Sequence, residues 1–166
     1  MHLTRATYRD FRNVQGTFEP CPGVNVLFGA NGQGKTNALE GIYVSCYGRS
    51  FRPGKQVDML RFGAPAARVE LGVEGDDVQT LISVTLAAGE RRHAVEGNEG
   101  CSLLEIANYL RVIFFGPEDL SLVKGSKSVR REFLDRAIAF QDPSHGKLLR
   151  EYQKLLRERN QLLRDF

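Results

Sequence analysis

A glycine-rich stretch, FGANGQGKTNALEGI (Phe28–Ile42), constrains the fold of this 166-residue chain more than any other feature. Within it, Gly29, Gly34, Lys35 and Thr36 have the G-x-x-x-x-G-K-[ST] spacing of a phosphate-binding loop. An apolar run precedes the stretch, and a helical pattern follows the glycines. Because strand, glycine loop and helix in this order are the context in which such loops bind phosphate, the sequence predicts an α/β protein.

Two predicted elements flank the glycines. The short apolar run VNVLF (Val24–Phe28) predicts a buried strand before the loop. After the loop, apolar residues recur at the spacing of one helix face, at Ala38, Leu39, Ile42, Tyr43 and Cys46. Gly48 follows them and predicts the end of the helix, because glycine readily takes the left-handed conformation of a C-terminal cap.

The loop itself is predicted to bind the phosphates of a nucleotide. Backbone N–H groups in a glycine-rich turn can form a concave anion site, and the positive end of the following helix dipole adds to it. Lys35 is predicted to place its charge on the β- and γ-phosphates as a binding and catalytic residue, and the Thr36 hydroxyl is the expected Mg²⁺ ligand. The complete predicted set is Gly29, Ala30, Asn31, Gly32, Gln33, Gly34, Lys35 and Thr36.

The rest of the chain shows further strand and helix patterns. LTRATYRDFRNV near the start predicts a strand, and a period of two from Ala67 to about Gly97 predicts an antiparallel section. SLLEIANYL predicts a helix in which Ser102 and Glu105 form a capping box. RVIFF (Arg111–Phe115) predicts a second buried strand. Two amphipathic helices are predicted after it, in SKSVRREFLDRAIAF and KLLREYQKLLRERNQLLRDF.

Composition limits the class of protein. Apolar residues make up 42% of the chain and charged residues 26%, which suits a globular protein and argues against disorder. The net charge of +3 permits a nucleic-acid partner without requiring one. The spacing of Cys21, Cys46 and Cys101 favours free thiols over a zinc or redox site. Without an apolar signal core or an apolar run of about 18 residues, the chain is predicted to be cytoplasmic.

The acidic motif that hydrolysis usually requires is not well formed. A Walker B motif is an apolar strand that ends directly in an aspartate. The nearest match, VIFFGPED, places Gly116 and Pro117 between the apolar run and the carboxylates of Glu118 and Asp119. The sequence therefore predicts nucleotide binding, and we expect the remaining catalytic parts to lie outside these residues.

These motifs together resemble the RecF family of bacterial DNA replication and repair proteins. The resemblance is carried by MHLTRATYRDFRN, by PGVNVLFGANGQGKTNALEGIYVSCYGRSFR and by FFGPEDLSLVKGSKSVRREFLDRAI. It implies a P-loop NTPase fold, an ABC-type, SMC-like head lobe with a mixed sheet, an antiparallel subsheet and C-terminal helices. It also implies that residues 1–140 are the N-terminal part of the ATP-binding lobe. Residues 141–166 are then a helix that could begin a coiled-coil arm, in a chain about half as long as a family member.

The resemblance carries expectations about function. It implies binding of ATP and Mg²⁺, and a homodimer that forms on DNA when ATP is bound. It further implies weak DNA-dependent ATPase activity in the full-length protein, help in loading recombinase at DNA gaps, and RecO and RecR as partners. Because neither a Walker B motif nor a signature serine motif is found in the sequence, this piece alone is expected to be inactive.

Several residues and two other functions remain open. Arg49, Arg52 and Lys55 form a basic cluster that either contacts DNA or the γ-phosphate, or lies in a solvated loop. Glu118 resembles a residue that senses Mg²⁺ or the attacking water and is a catalytic candidate, with a simple loop acid as the alternative. Another SMC-like P-loop ATPase and a small-molecule P-loop kinase are the alternative functions.

Overall fold

The computed structural model describes residues 1–75 and 78–164. Within these residues some side chains are not described, and that of Glu118, a predicted catalytic residue, is one of them. Contacts between Cα atoms divide the chain into two compact units, Met1–Phe114 and Phe115–Phe166. Each unit is described by itself below.

The first unit is built on one six-stranded sheet, in the order β2-β1-β3-β4-β5-β6, in which all neighbouring strands are antiparallel. The predicted first strand and the predicted antiparallel section both lie in this sheet. The α/β class with an antiparallel sheet is confirmed. The strands are β1 (His2–Phe11), β2 (Val14–Phe18), β3 (Ala66–Gly75), β4 (Val78–Ala87), β5 (Glu90–Val95) and β6 (Asn98–Glu99).

The core lies between one face of the sheet and helix α1 (Lys35–Tyr47). Along β3 every second side chain points inward, and the four inward residues are at most 2% exposed. Alternation of this kind is expected where one face of a sheet is covered and the other is not. The inward residues of β3 are Ala67, Val69, Leu71 and Val73, and Val44 of α1 is fully buried in the same cluster.

The predicted length of α1 is confirmed, but its predicted apolar face is partly wrong. The helix ends at Gly48, which has φ 66° and donates its N–H to the Val44 carbonyl. Leu39 is 46% exposed although the sequence pattern placed it on the buried face, whereas Glu40 and Ser45 are fully buried. The reason is that polar partners accompany the buried polar groups, so hydrophobic periodicity alone does not define the face.

Close packing of β1 against α1 explains why the helix carries small residues. The Tyr8 hydroxyl donates to the Ala38 carbonyl oxygen at 2.8 Å. A Cβ added to Gly41 would lie 2.6 Å from the Tyr8 ring. The absence of a side chain at Gly41 therefore lets the ring of Tyr8 lie against the helix backbone.

Two predicted buried strands are wrong. Val24–Phe28 and Arg111–Phe115 have no ladder partner among the described residues, and most of their apolar side chains are exposed. Phe28 is 91% exposed and Ile113 is 95% exposed. An apolar run forms a buried strand only if another strand pairs with it. The strands of the described sheet pair with one another and not with these two runs.

Short helices complete the first unit. A 3₁₀ helix spans Gln56–Met59, and α2 spans Leu103–Ile106. The predicted capping box of α2 is confirmed, since Ser102 accepts from the Glu105 N–H and the Glu105 carboxylate accepts from the Ser102 N–H at 2.7 Å.

The second unit is helical. It contains a 3₁₀ helix (Pro117–Leu120), α3 (Ser121–Lys124), α4 (Lys127–Gln141) and α5 (Pro143–Leu162). The two predicted amphipathic helices are thus confirmed as α4 and α5. The break between them falls at Asp142, next to the predicted domain boundary, which stays a prediction. Across the described residues, none of the helices combines the length and apolarity that a membrane crossing requires.

Candidate phosphate-binding site

Three glycines of the loop have positive φ angles. Gly29, Gly32 and Gly34 have φ angles of 141°, 82° and 92°, which residues other than glycine rarely adopt. The loop leads directly into α1, where the Ala38 N–H donates to the Gly34 carbonyl at 2.8 Å. The first turn of a 13-residue helix therefore opens at the loop, with its unpaired N–H groups and the positive end of its dipole.

Lys35 reaches back across this loop. Its Nζ donates to the carbonyl oxygens of Gly29 and Ala30, at 2.7 Å in both cases. The ammonium is thus already held over the loop by side-chain to backbone hydrogen bonds. A phosphate that binds here replaces neutral carbonyl acceptors with charged ones, and hydrogen bonds to charged groups are the stronger class.

The turn between β1 and β2 contacts the same loop from the side. Asn13 Nδ2 donates to the Gly32 carbonyl at 2.6 Å, and Asn37 Nδ2 donates to Asn13 Oδ1 at 2.6 Å. A Cβ on Gly34 would lie 3.0 Å from Asn13 Oδ1 and 3.0 Å from a methyl group of Val14. Gly34 is therefore required both for its φ angle and for the close approach of this turn.

A buried carboxylate connects α1 to the segments on either side of it. The side chain of Glu40 is 0% exposed. Its oxygens accept from Arg12 Nε at 2.5 Å, from Arg12 Nη2 at 2.7 Å and from Ser50 Oγ at 2.5 Å, and Arg52 also donates to it. Burial by itself raises the pKa of Glu40, but the hydrogen bonds from Arg12, Arg52 and Ser50 outweigh it and hold the pKa below its ordinary value. Glu40 is therefore an ionised anchor for two arginines.

The three predicted basic residues do not share one environment. Arg52 donates to Glu40 and to Asn37 Oδ1, and its side chain is 33% exposed. Arg49 and Lys55 are exposed, and the Lys55 N–H donates to Asp58 Oδ2 at 2.7 Å. The guanidinium of Arg52 is thus engaged inside the first unit, whereas the charges of the other two face solvent.

Aromatic packing fixes the segment that carries these basic residues. Phe51 stacks on Phe114 with ring centroids 3.9 Å apart and meets Tyr43 edge-on at 5.4 Å. Tyr47 donates its hydroxyl to the Val112 carbonyl at 2.5 Å. The segment after α1 is therefore anchored at Phe51.

Sequence reasoning missed three residues of the site. Asn13, Asn37 and Glu40 lie outside the consensus spacing, yet they contact the loop or the residues that surround it. One signal was present in the sequence, because Glu40 is the only acidic residue of α1 and arginines lie in the segments on either side of the helix. A buried acid in that position requires a basic partner.

Comparisons with known proteins agree with this geometry. A family model described as "AAA domain" matches residues 6–161. The DNA replication and repair protein RecF of Halalkalibacterium halodurans is 38% identical over 157 residues, which are 93% of this chain and 42% of that protein. RecF of Lacticaseibacillus casei is 36% identical over 92% of this chain and 40% of its own length. The chain therefore spans less than half the length of these relatives.

Solved structures give the same result. Two structures of the recombination mediator protein RecF, named RecF-ATPrS and RecF-ATP, have TM-scores of 0.87 and 0.82 at 33% and 34% identity. Each match covers 99% of this chain and 45% of the other. The SMC head domain from Thermotoga maritima shares the fold, with a TM-score of 0.55 at 22% identity over 65% of this chain and 41% of that chain. The chain therefore belongs to the AAA domain family and, within it, to the RecF proteins, whose N-terminal part it matches.

Proposed function

We propose that Gly29–Thr36 bind the triphosphate of ATP. The observation that carries this proposal is the glycine loop, which has three glycines at positive φ, leads into α1 and lies under the Lys35 ammonium. Lys35 places its charge on the β- and γ-phosphates, where negative charge is densest, and is the residue of this loop that contributes to catalysis.

Mg²⁺ fits the same site as a shared ligand of protein and nucleotide. Thr36 is exposed in the first turn of α1, so its hydroxyl can supply one oxygen to the ion. Across residues 1–75 and 78–164, the structure has no cluster of three or more His, Cys, Asp or Glu residues that could hold a metal. Mg²⁺ commonly keeps several waters and binds through few protein ligands plus phosphates, which agrees with one hydroxyl. Bound Mg²⁺ would neutralise phosphate charge.

For the whole protein we propose ATP-dependent DNA binding in recombinational repair and replication restart. ATP joins two copies into a homodimer, the dimer binds DNA at gaps between single and double strands, and it helps to load recombinase there with RecO and RecR. The RecF relatives and the name of the RecFOR pathway support this proposal. Full-length turnover of ATP is proposed to be weak and DNA-dependent, with residues 1–140 as the ATP-binding lobe and Glu118 as a candidate sensor of the attacking water.

The basic segment after α1 supplies the proposed contact with DNA or with the γ-phosphate. Arg49 and Lys55 are exposed and can therefore meet phosphate oxygens directly. Arg52 can do so only by exchanging its bonds to Glu40 and Asn37 for the new partner. Arg52 is thus expected to respond to ATP or DNA by a change of partner.

The test is ATP and DNA binding by the full-length protein and its Lys35→Met variant. Loss of the ammonium is expected to weaken ATP binding at least about tenfold, because a hydrogen bond to a charged group contributes about 1.5–3 kcal/mol. Calorimetry measures the ATP affinity, and fluorescence anisotropy on gapped DNA with ATP or ADP measures the DNA affinity. Lys147→Met removes an exposed lysine of α5 and serves as the matched control.

Two results would refute the proposal separately. Unchanged ATP affinity in Lys35→Met contradicts the assignment of the loop. Equal affinity for gapped DNA with ATP and with ADP contradicts the ATP-dependent mechanism, and sedimentation in both nucleotides tests the homodimer in the same way.

A further inference from the structure

The β1–β2 turn carries an amide that is not part of the phosphate-binding motif but bonds to it. Asn13 Nδ2 donates to the Gly32 carbonyl at 2.6 Å. We propose that Asn13 is a positioning residue of the nucleotide site, which fixes the orientation of the peptide between Gly32 and Gln33. The inference rests on the proposed binding of ATP by this loop.

The hydrogen bond from Asn13 to the Gly32 carbonyl also sets the direction of the neighbouring N–H group. The described residues include no cis peptide bond, so the carbonyl of Gly32 and the N–H of Gln33 point in opposite directions from the same plane. With its carbonyl held by Asn13, this peptide directs the Gln33 N–H to the side of the loop away from the β1–β2 turn. Gly32 has φ 82° and no side chain to resist rotation, so the loop itself does little to prevent the peptide from flipping.

The orientation of the Asn13 amide is in turn fixed by its neighbours. Asn13 Oδ1 accepts from Asn37 Nδ2 at 2.6 Å, which leaves Asn13 Nδ2 as the end that can donate to the loop. Asn37 Oδ1 accepts from the Arg52 guanidinium, which donates at the same time to the buried Glu40. Because a guanidinium can only donate, it settles which end of the Asn37 amide faces it.

A chain of alternating donors and acceptors thus runs from the phosphate loop to an ionised carboxylate in α1. The amides of Asn13 and Asn37 each accept on one side and donate on the other, whereas Arg52 donates on both sides. Reversing one amide would therefore set two donors or two acceptors against each other. The loop peptide is therefore oriented before any ligand arrives, and preorganised donors avoid the cost of ordering on binding.

Asn13 can be tested without disturbing the core, because its side chain is exposed. In the full-length protein, Asn13→Ala is expected to weaken ATP and ADP binding by about fivefold, since one neutral hydrogen bond contributes about 1 kcal/mol. The melting temperature without nucleotide is expected to stay within about 2 °C of the wild type, as for other exposed substitutions. Asn25→Ala is the matched control, because Asn25 also bonds to a backbone turn, at Cys21 and Gly23, but not to the loop.

A double-mutant cycle of Asn13 and Asn37, measured as nucleotide affinity, distinguishes a positioning role from a purely structural one. If Asn37 acts only by orienting Asn13, Asn37→Ala costs nucleotide affinity in the wild type but little further in Asn13→Ala, whereas independent residues give additive losses. Affinity of Asn13→Ala within twofold of the wild type, or additive losses in the cycle, overturns the inference. Absence of ATP binding in the wild type, or its retention in Lys35→Met, instead refutes the proposed function.

Discussion

Replacement of Glu40 by glutamine tests the anchor on which the surroundings of the loop depend. The substitution keeps the shape of the side chain but removes its charge and places an NH₂ group where a guanidinium now donates. In the folded protein the carboxylate is 0% exposed and takes three bonds of 2.5–2.7 Å from Arg12 and Ser50, in addition to its bond from Arg52. Glu40→Gln therefore leaves two positive groups facing a neutral one.

The expected cost follows from the burial of the partners. Loss of one partner from a buried ion pair destabilises a protein by about 3–5 kcal/mol. The side chains of Arg12 and Arg52 are 20% and 33% exposed, so water compensates them in part. We expect the lower end, about 3 kcal/mol of unfolding free energy, or roughly 6–12 °C in melting temperature for a chain of this size.

Urea unfolding followed by far-UV circular dichroism measures this loss, with the slope against denaturant as a check on two-state behaviour. Glu90→Gln is the matched control, because Glu90 pairs with Arg92 at 2.8 Å on the surface with 63% of its side chain exposed. The control is expected to lose at most about 1 kcal/mol. Equal stabilities of the two variants would refute the argument that Glu40 is a buried charged anchor.

Three further predictions concern stability. Gly41→Ala is expected to cost about 1–3 kcal/mol in urea unfolding, because its Cβ would lie 2.6 Å from the Tyr8 ring; an unchanged midpoint would contradict this packing. Ser102→Ala removes the capping box with Glu105 and is expected to cost about 1 kcal/mol of unfolding free energy. Ser102→Thr keeps a capping hydroxyl, so an equal loss of stability in this variant would contradict the capping explanation. Burial lowers the pKa of His93 from 6.5 to about 4. The unfolded chain therefore binds a proton at His93 below about pH 6.5, whereas the folded chain binds it only below about pH 4. Stability is therefore expected to fall as the pH drops through that window, by up to about 3 kcal/mol, and an identical pH profile in His93→Gln would exclude His93 as the cause.

The sequence predicted the parts of the fold that depend on local patterns. The glycine loop, the Gly48 cap and the Ser102 capping box are set by residues close in the chain, and their conformations are as expected. The alternation along β3 likewise follows from a sheet with one covered face. Local periodicity was sufficient in these cases because each pattern determines its own geometry.

The errors arose where structure depends on distant partners. Val24–Phe28 has the composition of a buried strand, but composition does not supply the neighbouring strand with which it must pair. Glu40 is buried because arginines from two other segments meet it, and its own helix pattern contains no information about Arg12. The same holds for Asn13, whose amide reaches the loop only through the turn between β1 and β2.

The unpaired segment Val24–Phe28 has a thermodynamic consequence for the loop that it enters. From Lys35 onwards the loop continues into a helix, but before Gly29 no ladder hydrogen bonds hold it among the described residues. Ordering of the residues before Gly29 by a bound ligand would cost conformational entropy, which lowers the net free energy of binding.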